Sequence, residues 1–175
     1  NRIQGTVSIT GRKIWSGLPS AYERADLPPV TFALNRYVKR DELHEEAEEG
    51  ESDKVWDTDE SGEREEIAVL TIKNWDKLYA NGSYTFTIAY EGQNVMKVNA
   101  DESVEFDAEK PEEQSQLPRY DEQGRLYHYV LKETGIGEET DWEGNFQDGA
   151  IYDPMDSDGT ETYILNNRYK QDQGA

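Results

Sequence analysis

Residues 81–88 read Asn81-Gly82-Ser83-Tyr84-Thr85-Phe86-Thr87-Ile88. An Asn-Gly pair favours the left-handed backbone of a tight hairpin turn, and the six residues after it alternate polar with apolar. Side chains two apart in an extended chain point the same way, so this alternation describes a strand with one wet and one dry face. The same period recurs outward from this stretch. It is present in Thr6–Thr10, more loosely in Ile67–Lys73, and again in Tyr127–Glu133 and Thr162–Tyr169. Val30–Leu34 follows Pro28-Pro29, a pair that stops a helix and suits entry into a strand. Helical periodicity is confined to Asp41–Glu49, where few apolar positions could anchor it. Six or more short strands separated by polar turns predict an all-β sandwich.

At 175 residues the chain suits one domain, placed at 3–172, and it can bury a real core. Its 38 acidic and 18 basic residues leave a net charge of −20, which repels phosphate backbones and anionic lipid surfaces. Nucleic acid is therefore excluded as a partner, and no apolar run is long enough to insert into a membrane. Cysteine is absent, which removes disulfides and thiolate chemistry together. With only His44 and His128, histidine-rich metal sites are also excluded. No cofactor is expected. The chain opens on Asn1 without a visible signal sequence, as expected of an excised or mature piece.

The acidic residues are concentrated. Fourteen lie between Asp41 and Glu66, against Lys54 and Arg64. An acidic insertion over about 39–66 is expected as a solvated excursion, because it has too little apolar surface to offset its ordering entropy. A Gly- and Asp-rich stretch is expected as a long loop at about 135–160.

Strand parity singles out three polar residues. Val7 and Ile9 define an inward face that continues through Gly11 to Lys13 and Trp15, unless Gly11 marks a bulge. Tyr127, Tyr129 and Leu131 share a face with Glu133, and Tyr163 and Leu165 share one with Asn167. A lysine, a glutamate and an asparagine thus align with large apolar residues. Burial lowers a lysine pKa and raises a glutamate pKa, so the two can coexist as neutral amine and neutral acid. A neutral amine is a nucleophile, and a protonated carboxyl can polarise an amide carbonyl and relay protons. Beside an asparagine, that chemistry makes an isopeptide bond and releases ammonia. Asn166 is the alternative partner if the register slips by one, although it shares its face with Arg168.

These residues also carry a resemblance. Leu117–Glu133, LPRYDEQGRLYHYVLKE, resembles the "LPKYDxxGxxxxYxVxE" stretch of the collagen-adhesin B-type (Cna B) domains of Gram-positive surface proteins and pilins. Thr10–Trp15, Leu27–Leu34 and Leu165–Tyr169 resemble other strands of that family, in the right order. The resemblance implies an immunoglobulin-like sandwich of reversed topology. It also implies a spontaneous Lys–Asn isopeptide bond, with Lys13 and Asn167 as the crosslinked pair and Glu133 as the assisting acid. The implied setting is extracellular: a structural or adhesive module of a cell-wall-attached surface protein, partnered by neighbouring domains and acting as no turnover enzyme. Two departures stand out. Leu34 and Leu117 are much further apart than the family usually has them, and Leu131–Thr134 resembles the pilin LxET motif without its Pro-Gly continuation.

A second reading makes the enlarged loops a ligand site for a host protein or glycan, with Trp56, Trp75 and Trp142 as contacts where they are exposed; Trp75 and Trp142 read equally well as core residues. A third is calcium. Asp57, Asp59 and Ser61 are spaced like the first half of a calcium loop, but Ala68 stands where the bidentate glutamate belongs. Asp156-Ser157-Asp158-Gly159 with Glu161 is a second such fragment. No spacing marks a glycosidase pair among the carboxylates.

Overall fold

A computed structural model describes residues 5–38, 64–91, 95–98, 104–106 and 117–170. Nearly all regular structure in them is extended. The strands in chain order are β1 (Ser8–Ser16), β2 (Val30–Tyr37), β3 (Glu65–Ile72), β4 (Tyr79–Ala80), β5 (Ser83–Glu91) and β6 (Val95–Val98). They continue as β7 (Val104–Phe106), β8 (His128–Ile136), β9 (Trp142–Glu143), β10 (Ala150–Asp153) and β11 (Thr160–Tyr169). The one α-helical turn among the described residues is Trp75–Leu78.

The strands form two sheets. The larger, seven-stranded sheet runs β10-β11-β1-β5-β4, with β6 also on β5 and β9 also on β11; the smaller runs β7-β3-β2-β8. One apolar core lies between them. Ile9, Phe86, Ile88 and Leu165 come from the larger sheet, and Phe32, Leu34, Leu70 and Leu131 from the smaller. This is an all-β sandwich. Asn81 and Gly82 both adopt positive φ, 53° and 83°, and Ala80 pairs with Ser83 across them. The turn is therefore of the kind whose twist matches that of its strands.

The first and last strands are neighbours. β1 lies parallel to β11, from Ser8 opposite Thr160 to Ser16 opposite Arg168. A parallel pair cannot be closed by a short turn, so the rest of the chain is the connection between them. On its other side β1 is antiparallel to β5. Gly11 sits between Tyr163 and Phe86 without breaking either register, so the inward parity of β1 continues to Lys13. A Cβ at position 11 would lie 2.5 Å from Cζ of Phe86 and 2.9 Å from Cδ2 of Leu131. Glycine is thus there to let the facing sheet approach, rather than to make a bulge.

Parity is interrupted at two other places. Between β2 and β3 the register shifts at Leu34/Asn35, leaving Ile67 as the extra residue, and Ile67 and Ala68 are both buried. Between β2 and β8 it shifts at Thr31/Phe32, so Thr134 is skipped and Glu133 lies opposite Phe32. That second bulge turns β8 immediately after Glu133 and leaves the carboxylate on the core side.

Most of the acidic stretch 39–66 lies outside the described residues. Its last two members, Glu65 and Glu66, open β3, where Glu65 accepts a hydrogen bond from Arg36 Nε at 2.9 Å. The segment 135–160 carries more structure than a loop. It finishes β8, passes a 3-10 turn at Glu139–Asp141, and supplies β9 and β10, both paired with β11. Its Gly- and Asp-rich composition conceals these strands because they are two and four residues long. Backbone pairing to β11 holds both; β9 also buries Trp142, whereas β10 is exposed along its length.

Candidate functional site

Lys13 leaves β1, Asn167 leaves β11 and Glu133 leaves β8 in the opposite sheet, and the three side chains meet inside the sandwich. Their exposures are 2%, 1% and 1%. Lys13 is opposite Leu165 and Asn167 opposite Trp15, so the lysine stem runs one pleat along the parallel pair to reach its neighbour. The Lys13 ammonium donates to Asn167 Oδ1. Lys13 Nζ is 3.9 Å from Glu133 Oε1, and Asn167 Nδ2 donates to Glu133 Oε2 at 3.2 Å. Nδ2 has two further acceptors, the Glu143 carbonyl at 3.1 Å and Asn145 Oδ1 at 3.0 Å.

The surroundings are apolar and aromatic. The Trp15 ring lies over Lys13 Nζ, with 4.1 Å to its centroid. Trp15 in turn meets Trp75 and Trp142 edge-on, at 5.4 and 5.0 Å between centroids. These rings keep water from the amine. Desolvation brings the Lys13 pKa down from 10.5 to about 7, against the opposing pull of Glu133. The same desolvation pushes Glu133 up, opposed by Lys13 and by the hydrogen bond from Asn167. The two shifts have opposite signs and favour the same exchange, in which a proton passes from the amine to the carboxylate.

The two ends of the Asn167 amide face different partners: its nitrogen donates to Glu133, and its oxygen accepts from Lys13. Asn166 is exposed on the far face of β11, away from Lys13.

Trp142 is corrected as a surface contact. It is 2% exposed, packed among Trp15, Tyr22 and Tyr169, and Trp75 is likewise buried at 1%. Trp142 lies in the core because β9 pairs with the end of β11, and Trp75 because it packs edge-on against Trp15, Phe32 and Tyr84 and donates its Nε1–H to the Pro28 carbonyl at 2.8 Å. Trp56 lies outside the described residues, as do Asp57, Asp59 and Ser61. In the second acidic fragment, Asp156 Oδ1 already accepts from the backbone N–H groups of Asp158 and Thr160. Among the described residues no three His, Cys, Asp or Glu side chains gather as metal ligands. No helix among them is long and apolar enough to cross a membrane.

Sequence reasoning missed Asn145 and the Glu143 carbonyl. Neither has a parity signal, because both lie where the chain turns. Comparison with protein-family models, with curated proteins and with solved structures returned no match.

Proposed function

We propose that this chain is a structural or adhesive module of a Gram-positive cell-surface protein, stiffened by an intramolecular Lys13–Asn167 isopeptide bond. The observation that carries the reading is the buried meeting of amine, amide and carboxyl, three groups that are costly to bury unless they pair or react. The parallel pairing of first and last strands and the Cna B-like sequence stretches support an immunoglobulin-like sandwich of reversed topology. The module works outside the cell, between neighbouring domains of a wall-attached protein, and its chemistry happens once.

The reaction starts with a proton moving from Lys13 to Glu133. The neutral amine attacks Cγ of Asn167, forming the new C–N bond and placing negative charge on Oδ1. Glu133 gives its proton to Nδ2 and takes one from the former amine. The Cγ–Nδ2 bond then breaks with its electron pair on nitrogen, and ammonia leaves. Nζ has then given up two protons, one delivered to Nδ2 and one left on Glu133, which passes it to the departing ammonia and returns to the carboxylate. Intact mass spectrometry tests the reading. The mature protein should be one ammonia lighter than its sequence, with the Lys13 and Asn167 peptides joined after digestion. A full sequence mass overturns it.

The reactive pair holds a single proton, as neutral amine and neutral acid. The rate of ammonia loss in freshly made chain should therefore rise with pH on the acid side and fall once the last proton leaves. With Lys13 at about 7, one limb of this bell falls in the neutral range. The uncrosslinked precursor has its own pH dependence. Between about 7 and 10.5 the unfolded chain holds a Lys13 proton that the folded chain lacks, so this contribution to stability grows with pH. Glu133 acts oppositely, its contribution falling as pH rises from 4.5 through its elevated folded value. Mass spectra of pulse-synthesised protein shifted into buffers across the range measure the bell, and a flat profile contradicts the proton exchange.

A further inference from the structure

Asn167 Nδ2 is surrounded by one acceptor more than it can use. A primary amide nitrogen carries two hydrogens, yet Glu133 Oε2, the Glu143 carbonyl and Asn145 Oδ1 lie at 3.2, 3.1 and 3.0 Å from it. The departing ammonia carries three hydrogens. We propose that the turn 143–147 is a cradle for the leaving group, in which Asn145 Oδ1 binds the nitrogen of Asn167 as it becomes ammonia. The inference rests on the crosslink reading and adds a catalytic residue to it.

The construction of the turn supports this role. Gly144 has φ +86°, and a Cβ there would lie 2.7 Å from the Asn166 carbonyl, so the backbone passes directly against β11. Phe146 also adopts positive φ, 62°, although its bulky side chain is 46% exposed and gains little burial in return. Side-chain hydrogen bonds hold this conformation. Gln147 Nε2 donates to the Gly144 carbonyl at 2.7 Å, and Asn145 Nδ2 to the Glu139 carbonyl at 3.2 Å. The Gln147 carbonyl accepts from the Glu133 backbone N–H at 3.0 Å, which ties the cradle to the acid.

The cradle has two effects on the reaction. Gathering the acceptors on the nitrogen side turns Asn167 Oδ1 toward Lys13, so the amine meets the amide in one orientation. As the Cγ–Nδ2 bond breaks and Glu133 protonates the nitrogen, the new N–H finds an acceptor already in place, without reorganisation. A cleft of about 100 Å³ opens beside Glu133, bordered by Gly144, Gln147, Asp148 and Asn166. Water-sized molecules fit within it.

The test uses the full chain made in a short cell-free translation pulse, with intact mass followed over time. Asn145→Ala should lose ammonia about tenfold more slowly than wild type, the scale of one lost hydrogen bond in a transition state. Asn145→Asp keeps an acceptor oxygen but loses the donor to Glu139, and should react within about threefold of wild type. If Asn145→Ala reacts at the wild-type rate, the cradle has no role. If Asn145→Asp is as slow as Asn145→Ala, the bond to Glu139 is what matters, and the leaving-group role is overturned. Should Asn145→Ala fail to fold by circular dichroism, Asn145→Leu, which keeps the bulk and removes the acceptor, takes its place in the same comparison. A wild-type chain that never loses ammonia is a different failure, that of the crosslink reading itself.

Discussion

Glu133→Gln should keep the full sequence mass and melt well below the wild type. Glutamine nearly matches glutamate in size and can still hydrogen-bond Asn167, so the sandwich assembles with Lys13 and Asn167 in place. It can neither take the proton from Lys13 across 3.9 Å nor deliver one to Nδ2. The amine then stays an ammonium or loses its proton elsewhere, and the amide nitrogen has no acid to leave with. Lys13 and Asn167 are 154 positions apart, and closing a loop of that length removes about 5 kcal/mol of unfolded-state entropy by the estimate used for disulfides. For a chain of this size that is a fall of about 10–20 °C in melting temperature. Mass spectrometry and a thermal melt on one sample read both effects. Crosslinking of Glu133→Gln at the wild-type rate would make Glu133 structural and require another acid.

Under tension the difference between joined and unjoined chains is larger still. With handles at the two ends, force enters β1 from one side and leaves β11 at the other, and these strands are parallel neighbours. With the bond in place, load passes from Lys13 to Asn167 and the intervening chain carries none of it. Lys13→Ala removes the bond. Its unfolding then releases the chain between Lys13 and Asn167, which are 154 positions apart, a gain in contour length of about 540 Å at about 3.5 Å per residue. In single-molecule pulling the wild type should show no such step, while the variant shows it once per module. A wild-type trace with the full extension would mean that the termini are not bridged. Lys13→Ala also leaves a cavity, so its unfolding force should be lower than that of Glu133→Gln, with the same extension.

Parity carried the sequence reading furthest where strands were long and regular. β1, β8 up to Glu133, and β11 each alternate over enough residues for a lysine, a glutamate and an asparagine to show as inward polar positions. The period is local, so it needs no knowledge of what the strand faces. It was weaker at β3, where the extra residue Ile67 belongs to a mismatch with β2 that one strand cannot reveal. It was silent at β9 and β10, which are two and four residues long, too short for a two-residue repeat to show.

What the sequence determined by itself was therefore the class of fold and the inward direction of three polar side chains, because both follow from a two-residue repeat. The tertiary structure decided which groups touch. It placed Glu133 on the nitrogen of Asn167 rather than the oxygen, and it buried Trp142 against Trp15. It also brought Asn145, 22 positions from Asn167, to 3.0 Å from the Asn167 amide nitrogen. Contacts of that kind depend on how two sheets and a turn close on one another, and no repeat within a single strand contains that distance.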